Sequence, residues 1–164
     1  MRSSLVLLTL LAAAACSKKG GDASSCKPLS VTADGKAISG LGHGLARLNK
    51  MGTDQSWEVD LFNHDKTTCE AYVNKKGRQV PDGEITVRAF AGGSGIMGKG
   101  VGVGVHTQGG VDASVVGAEP KAKGDKVTIC VDHATFTPLV GEYKDKPVVV
   151  DGLFEGSYCG EMQF

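Results

Sequence analysis

The sequence is poor in the features that announce most familiar activities. Lysine plus arginine and aspartate plus glutamate each number 18, so neither sign of charge is in surplus. That balance argues against a nucleic-acid binder, which needs a basic face to displace counterions. Aromatic residues make up 5% of the chain and Trp57 is the only tryptophan, which leaves little material for a sugar-stacking face. Helical periodicity is nearly absent. The longest uncharged apolar run, residues 5–15, would make a helix of roughly 16 Å, about half of the ~30 Å hydrocarbon core, so it does not read as a membrane span. Glycine, by contrast, is abundant at 24 residues, but without the G-X-Y period of collagen. With 164 residues, 41% apolar and 22% charged, the chain fits one folded domain with an appendage.

The appendage is N-terminal. Arg2 supplies a short positive region, residues 5–15 an apolar core, and Ala12 to Ala15 the small residues that an export signal needs at its cleavage site. Leu11 and the four alanines lead directly into Cys16, and this stretch resembles the lipobox of bacterial lipoproteins. It departs from the family pattern in having Ala13 three residues before the cysteine, where the family prefers leucine. The resemblance implies a diacylglyceryl group on the Cys16 thiol, cleavage just before it, and an acylated (palmitate-type) new amino terminus. Ser17, in the enterobacterial sorting rule, permits transfer to the outer membrane. Without lipidation, Ala13-Ala14-Ala15 would serve as an ordinary cleavage site and leave a soluble secreted or periplasmic protein. Residues 17–25 (SKKGGDASS) have no apolar position to pack and read as a flexible tether spanning roughly 15–18 Å. The expected organisation is a signal peptide over 1–15, a lipid-anchored tether over 16–25 and a domain over 26–164.

That domain reads as all-β, a single antiparallel sandwich or small barrel. Trp57, Val59 and Leu61 alternate with Glu58 and Asp60. Ile85, Val87 and Ala89 alternate with Glu84, Thr86 and Arg88, and Val127, Ile129 and Val131 with Lys126, Thr128 and Asp132. Each pattern predicts a strand with one buried and one wet face. Asp34-Gly35 predicts a hairpin turn, Pro81-Asp82-Gly83 a turn before the strand at Glu84, and Asp151-Gly152 a break between residues 148–150 and 153–154. The one helix candidate, residues 44–50, is too short to convince. In residues 100–105 valines alternate with glycines, which predicts one bare strand face that another element can approach closely. Gln108-Gly109-Gly110 would turn this strand into residues 111–116 and complete a long hairpin.

Five cysteines divide into one plus four. Cys16 is assigned to lipid, and Cys26, Cys69, Cys130 and Cys159 lie in an exported domain where disulfides are the default. Three pairings are possible. Strand parity puts Cys130 with Lys126, Thr128 and Asp132, Cys159 with Glu161 and Gln163, and Cys69 with Ala71 and Val73. That favours Cys130–Cys159 and Cys26–Cys69, each stabilising by about 3–4 kcal/mol in the loop-entropy picture.

Apparent chemical motifs dissolve on inspection. Gly93 to Gly100 matches the G-x-x-x-x-G-K of a phosphate loop, but Gly100 stands where a Ser or Thr must hold magnesium. A strand-like sequence also follows it where a helix is required. No nucleotide is therefore expected. His64 with Cys69, and Cys130 with His133, have spacings that metal ligands sometimes adopt, yet oxidised cysteines offer no thiolate. His43, His64, His106 and His133 read as surface or hydrogen-bonded residues, and no cofactor or metal is expected. Asp60, Asn63 and Asp65 do not make a calcium loop, and Ser94 misses the nucleophile-elbow pattern. Asp132 and His133, adjacent on a strand, face opposite sides and form no dyad. The expectation is a non-catalytic binding or structural domain facing an envelope protein or glycan. The rival is a small envelope enzyme or metalloprotein using His64 and His133 near a mobile loop at residues 91–99.

Overall fold

The structure is a computed structural model that describes residues 23–74, 85–94 and 98–162. The signal segment with Cys16, the Pro81-Asp82-Gly83 turn and the middle of the glycine-rich loop lie outside the described residues. The described chain is mostly β-strand, with a turn of 3-10 helix at Ala23–Ser25 and one short α-helix, α1, at Cys69–Val73. Its strands are β1 (Ser30–Ala33), β2 (Lys36–Ala37), β3 (His43–Met51), β4 (Asp54–Phe62), β5 (Thr86–Ala91), β6 (Gly100–Val103), β7 (His106–Gly109), β8 (Ala113–Val116), β9 (Lys126–Phe136) and β10 (Val148–Glu161).

Hydrogen bonds link all ten strands into one sheet in the order β2-β1-β10-β3-β4-β5-β6-β7, with β9 on the other edge of β10 and β8 beyond it. The sheet is not closed into a barrel. It doubles over on itself, so that β5 lies across from β8 and β9. The hinge between the layers is β10. Its first residues pair with β1, its last with β3, and β9 follows it along most of its length. The β10–β3 pairing is parallel (Ser157 opposite Leu45), so the sheet is mixed and not purely antiparallel as the sequence suggested. At that junction the backbones nearly touch. A Cβ on Gly44 would sit inside the Glu155 carbonyl, and one on Gly156 would lie 2.8 Å from the Leu45 carbonyl carbon. Only glycine at both positions allows this approach.

The layers enclose a core of small β-branched side chains. Val59, Val87 and Val101 from one layer meet Ile129, Val150 and Phe154 from the other, all buried. Alternation places them. Every second residue of β4, β5 and β6 points inward, and each large aliphatic side chain among them contributes about 1.5–3 kcal/mol on burial. Trp57 packs at the margin of this core, edge-on to Tyr158 at 5.2 Å between ring centroids.

Several local expectations hold. Asp34 and Gly35 form the β1–β2 turn with positive φ at both residues, as a two-residue hairpin loop demands. Others are corrected. Residues 44–50 are the middle of β3 and not a helix. Asp151-Gly152 does not break the chain, because β10 runs through it. Here the register slips: between Val131 and Ala134 β9 carries two residues, Asp132 and His133, against Asp151 alone on β10. This is a β-bulge, with His133 at φ 41° as its left-handed residue. The bulge turns both Asp132 and His133 outward, so the expectation that they face opposite sides fails.

The valine–glycine segment also turns earlier than expected. Val103 pairs with His106, so Gly104 and Val105 form the hairpin loop, and Val105 is exposed instead of sharing the inner face. Residues 113–116 leave this hairpin to pair with β9 as β8. The bare glycine face is filled as expected by a close neighbour. Gly100 lies opposite Phe90 and Gly102 opposite Arg88, and a Cβ on either glycine would strike those side chains.

Candidate functional site

Chemistry-bearing residues concentrate on the outer face of β3, β4 and β5. Parity puts Arg47 and Asn49 of β3, Glu58 and Asp60 of β4, and Thr86 and Arg88 of β5 on this side, opposite the valine core. Helix α1 reaches the same face. Its N-cap is Thr68, whose hydroxyl accepts the Ala71 amide, and Tyr72 on its next turn is buried. Leu45, Phe62, Tyr72 and Cys159 form a second, smaller apolar cluster there.

The charges on this face are interior. Arg47, Glu58 and Asp60 are 2%, 5% and 4% exposed. Arg47 grips Glu58 with two bonds: Nε donates to Oε2 at 3.2 Å and Nη2 to Oε1 at 2.6 Å. Its Nη1 donates to the Tyr72 carbonyl at 3.0 Å, and its guanidinium carbon lies 4.6 Å from the Tyr72 ring centroid. Asn49 Nδ2 adds a third bond to Glu58 Oε2 at 2.7 Å. Burial alone would push the Glu58 carboxyl up. The charge and hydrogen bonds of Arg47, helped by Arg88 and Asn49, outweigh it and hold Glu58 below the usual carboxylate range.

Asp60 is the opposite case. Arg88 Nε is 3.6 Å from Asp60 Oδ1, within ion-pair reach but too long for a hydrogen bond. Burial, followed by the neighbouring Glu58 charge, raises Asp60 to about 7 against the pull of Arg88 and Arg47. Tyr72 lies near enough for its hydroxyl to pull Asp60 slightly down, yet neither Tyr72 Oη nor Asp60 Oδ1 completes a well-formed hydrogen bond. Burial and the Asp60 charge drive the Tyr72 phenol well above its ordinary range. Two carboxyls two residues apart, one held ionised and one near neutrality, is the arrangement that separates acid from base in enzymes. Here both carboxyls lie beneath other side chains, where a substrate cannot reach them as the fold stands. What the cluster accomplishes is attachment: Arg47 ties α1 to the sheet through Tyr72.

The residues singled out from sequence lie elsewhere. His64 lies 5.4 Å from the Phe62 ring, with His43 at 6.0 Å from the same ring. His133 stands at the β9 bulge, with Nδ1 3.9 Å from Asp151 Oδ2. His106 stacks on Phe136 at 5.5 Å, between the layers. His64 and His133 therefore belong to different neighbourhoods. Among the described residues no group of three or more His, Cys, Asp or Glu is placed to hold a metal. The glycine-rich loop closes through Gly93, whose amide donates to the Gly98 carbonyl, and Ser94, whose amide donates to Asp54 Oδ1 at 2.8 Å. Lys99 is followed by β6, a strand and not a phosphate-binding helix.

All four domain cysteines are oxidised, but the pairing is not the expected one. Cys26 bonds Cys130 and Cys69 bonds Cys159. Cys130 lies opposite Leu153 on β10, six residues before Cys159, so roughly 20 Å of strand separates the two cysteines expected to pair. Cys69 is helical, so the strand parity used for it does not apply.

The sequence alone does not single out the cluster of Arg47, Glu58, Asp60, Arg88 and Tyr72. Its only signal is two acids at i and i+2 on one strand with arginines on both neighbouring strands. Among the described residues no helix is long and apolar enough to cross a membrane. No protein-family model matches the chain, and neither curated proteins nor solved structures give a match.

Proposed function

We propose that the chain is a bacterial envelope lipoprotein, anchored through Cys16, whose β-domain is a non-catalytic binding or structural module for an envelope protein or glycan. The observation that carries this reading is the division of the five cysteines. Four pair with one another inside the domain, which leaves as the fifth the one that follows the uncharged apolar run of residues 5–15 and its four alanines. Disulfides belong to an oxidising compartment, in keeping with export. A single acyl chain gives only marginal membrane binding, whereas two or three hold a domain stably. Ser17 favours the outer membrane, and the chain beyond it keeps the domain near that surface.

Intact mass and fragment spectra of the mature protein test the anchor. The expected amino terminus is Cys16 carrying acyl chains. An unmodified Cys16, or a terminus at another residue, would refute the reading. Crosslinked capture from intact envelopes, followed by binding of the purified candidate, tests the domain's role.

A further inference from the structure

One end of the domain carries an uncovered apolar tip. Val105, at the β6–β7 turn, is 67% exposed, and Leu139 and Val140, between β9 and β10, are 70% and 52% exposed. The two loops are neighbours, for a Cβ on Gly141 would lie 3.2 Å from Val105 Cγ2. The β9–β10 loop is held by its own backbone bonds, Asp145 to the Pro138 carbonyl, Lys144 to the Gly141 carbonyl and Lys146 to the Tyr143 carbonyl. A folded loop thus presents two apolar side chains to water beside a third. Single exposed apolar residues need no explanation, but a cluster on ordered loops does. Tyr143, Lys144 and Lys146 border it together with Glu142 and Asp145, so the rim is polar without a net sign.

The length of the N-terminal segment brings the anchoring bilayer within reach of this tip. Cys26 is fixed to Cys130, and from there β9 runs six residues to Phe136 at the tip, roughly 20 Å. Ten residues join Cys16 to Cys26. Ala23–Ser25 form a 3-10 turn that adds about 6 Å, and the seven residues before it reach about 23–25 Å at full stretch. A lipid on Cys16 can therefore enter the same surface that the tip touches. We propose that Val105, Leu139 and Val140 rest in the interface of the bilayer that holds the Cys16 lipid, which fixes the orientation of the domain on the membrane. This rests on the lipoprotein reading above.

The test uses the full, processed protein in vesicles of phosphatidylethanolamine and phosphatidylglycerol, with and without acyl-chain bromine. Leu139→Trp places a reporter at the tip, and Met51→Trp places one at the β3–β4 turn, the far end of β3 from the β6–β7 side. Brominated lipid should quench Leu139→Trp at least twofold more than Met51→Trp, with a blue-shifted emission that persists in high salt. Equal quenching in protein that floats with the vesicles would overturn the tip while leaving the anchor intact. Protein that does not float would overturn the anchor, and the tip proposal with it. A benzophenone at position 139 that crosslinks to an envelope protein and not to lipid would assign the tip to a protein partner and refute the proposal.

Discussion

Asp60 gives the domain a stability that should fall as the solution is made alkaline. In the folded state its carboxyl is raised from 3.8 to about 7, chiefly by burial and by the charge of Glu58. In the unfolded chain it ionises near the ordinary value. Between those two values the folded protein holds a proton that the unfolded chain has lost. Stability therefore declines with rising pH, by up to about 1.4 kcal/mol per unit. The contribution is fully present below about pH 4 and is lost as pH rises through about 7. Integrated from pH 5 to pH 8, the loss is on the order of 2–3 kcal/mol. Glu58 works in the other direction, since its folded value is depressed, but its effect falls below its ordinary range and outside this window. The substitution Asp60→Asn keeps the shape and removes the titration. Urea unfolding with disulfides intact, followed by Trp57 fluorescence at pH 5, 6, 7 and 8, supplies the comparison. The difference between wild type and variant isolates Asp60 from every other group that titrates there. Wild type should lose on the order of 2–3 kcal/mol more than the variant from pH 5 to 8. Equal pH slopes in the two proteins would show that Asp60 is ionised in the fold, and the account of the cluster would fail.

Three further outcomes are expected. Arg47→Ala leaves Glu58 buried without its partner and should cost about 3–5 kcal/mol, whereas Arg47→Ala with Glu58→Gln should cost less than the sum of the single changes; denaturant midpoints for the full double-mutant cycle decide it. Peptide mapping under non-reducing conditions should recover Cys26–Cys130 and Cys69–Cys159, and replacing the second pair by serines should cost up to about 4.5 kcal/mol for the 90-residue separation it closes. Gly44→Ala puts a methyl into the β3–β10 junction and should destabilise by about 1–3 kcal/mol or more, measured as a shift in urea midpoint; a neutral result would mean that the two strands do not approach this closely.

The strands were legible in the sequence because a period of two is a backbone property that survives without tertiary knowledge. Trp57 to Leu61, Ile85 to Ala89 and Val127 to Val131 show it plainly. What alternation does not carry is the fate of the second face. Glu58 and Asp60 read as the wet side of β4, and they are interior because a helix and two arginines cover them. A polar residue between two apolar ones looks the same in sequence whether water or Arg47 meets it. Nor does alternation survive an insertion. One extra residue in β9 shifts the phase at His133, so Asp132 and His133 both emerge on the exposed side. The same chemistry that predicted the Asp34-Gly35 turn predicted one at Asp151-Gly152, and there the sheet absorbed it. Gly152 sits at φ 103° with the Pro28 carbonyl pressed where a side chain would be, so the glycine serves the crossing of two chains instead of a reversal of one.

The disulfides follow one rule that the pairing by parity missed. Cys130 does lie among polar residues of β9 and is only partly covered, as its neighbours Lys126 and Asp132 suggested. An outward cysteine does not need a second outward cysteine, however; it needs whatever segment lies over that face. For Cys130 this is the chain just before β1, which is pinned further by the Lys27–Asp151 ion pair at 2.9 Å. For Cys159 it is α1, pinned further by Arg47. Each segment buries little apolar surface of its own. The first has no large hydrophobic residue before Leu29, and α1 is five residues long and buries Tyr72. Isolated helices of that length are unstable in water. Each staple therefore falls where the hydrophobic effect is weakest, and the strands, which bury valines on both layers, carry none between themselves. Reduction should accordingly release the two covering segments before it opens the sheet. Hydrogen exchange after mild reduction checks this: the amides of α1 should lose protection while those of β4 and β5 keep theirs, and simultaneous loss in both would show that the staples hold the sheet itself.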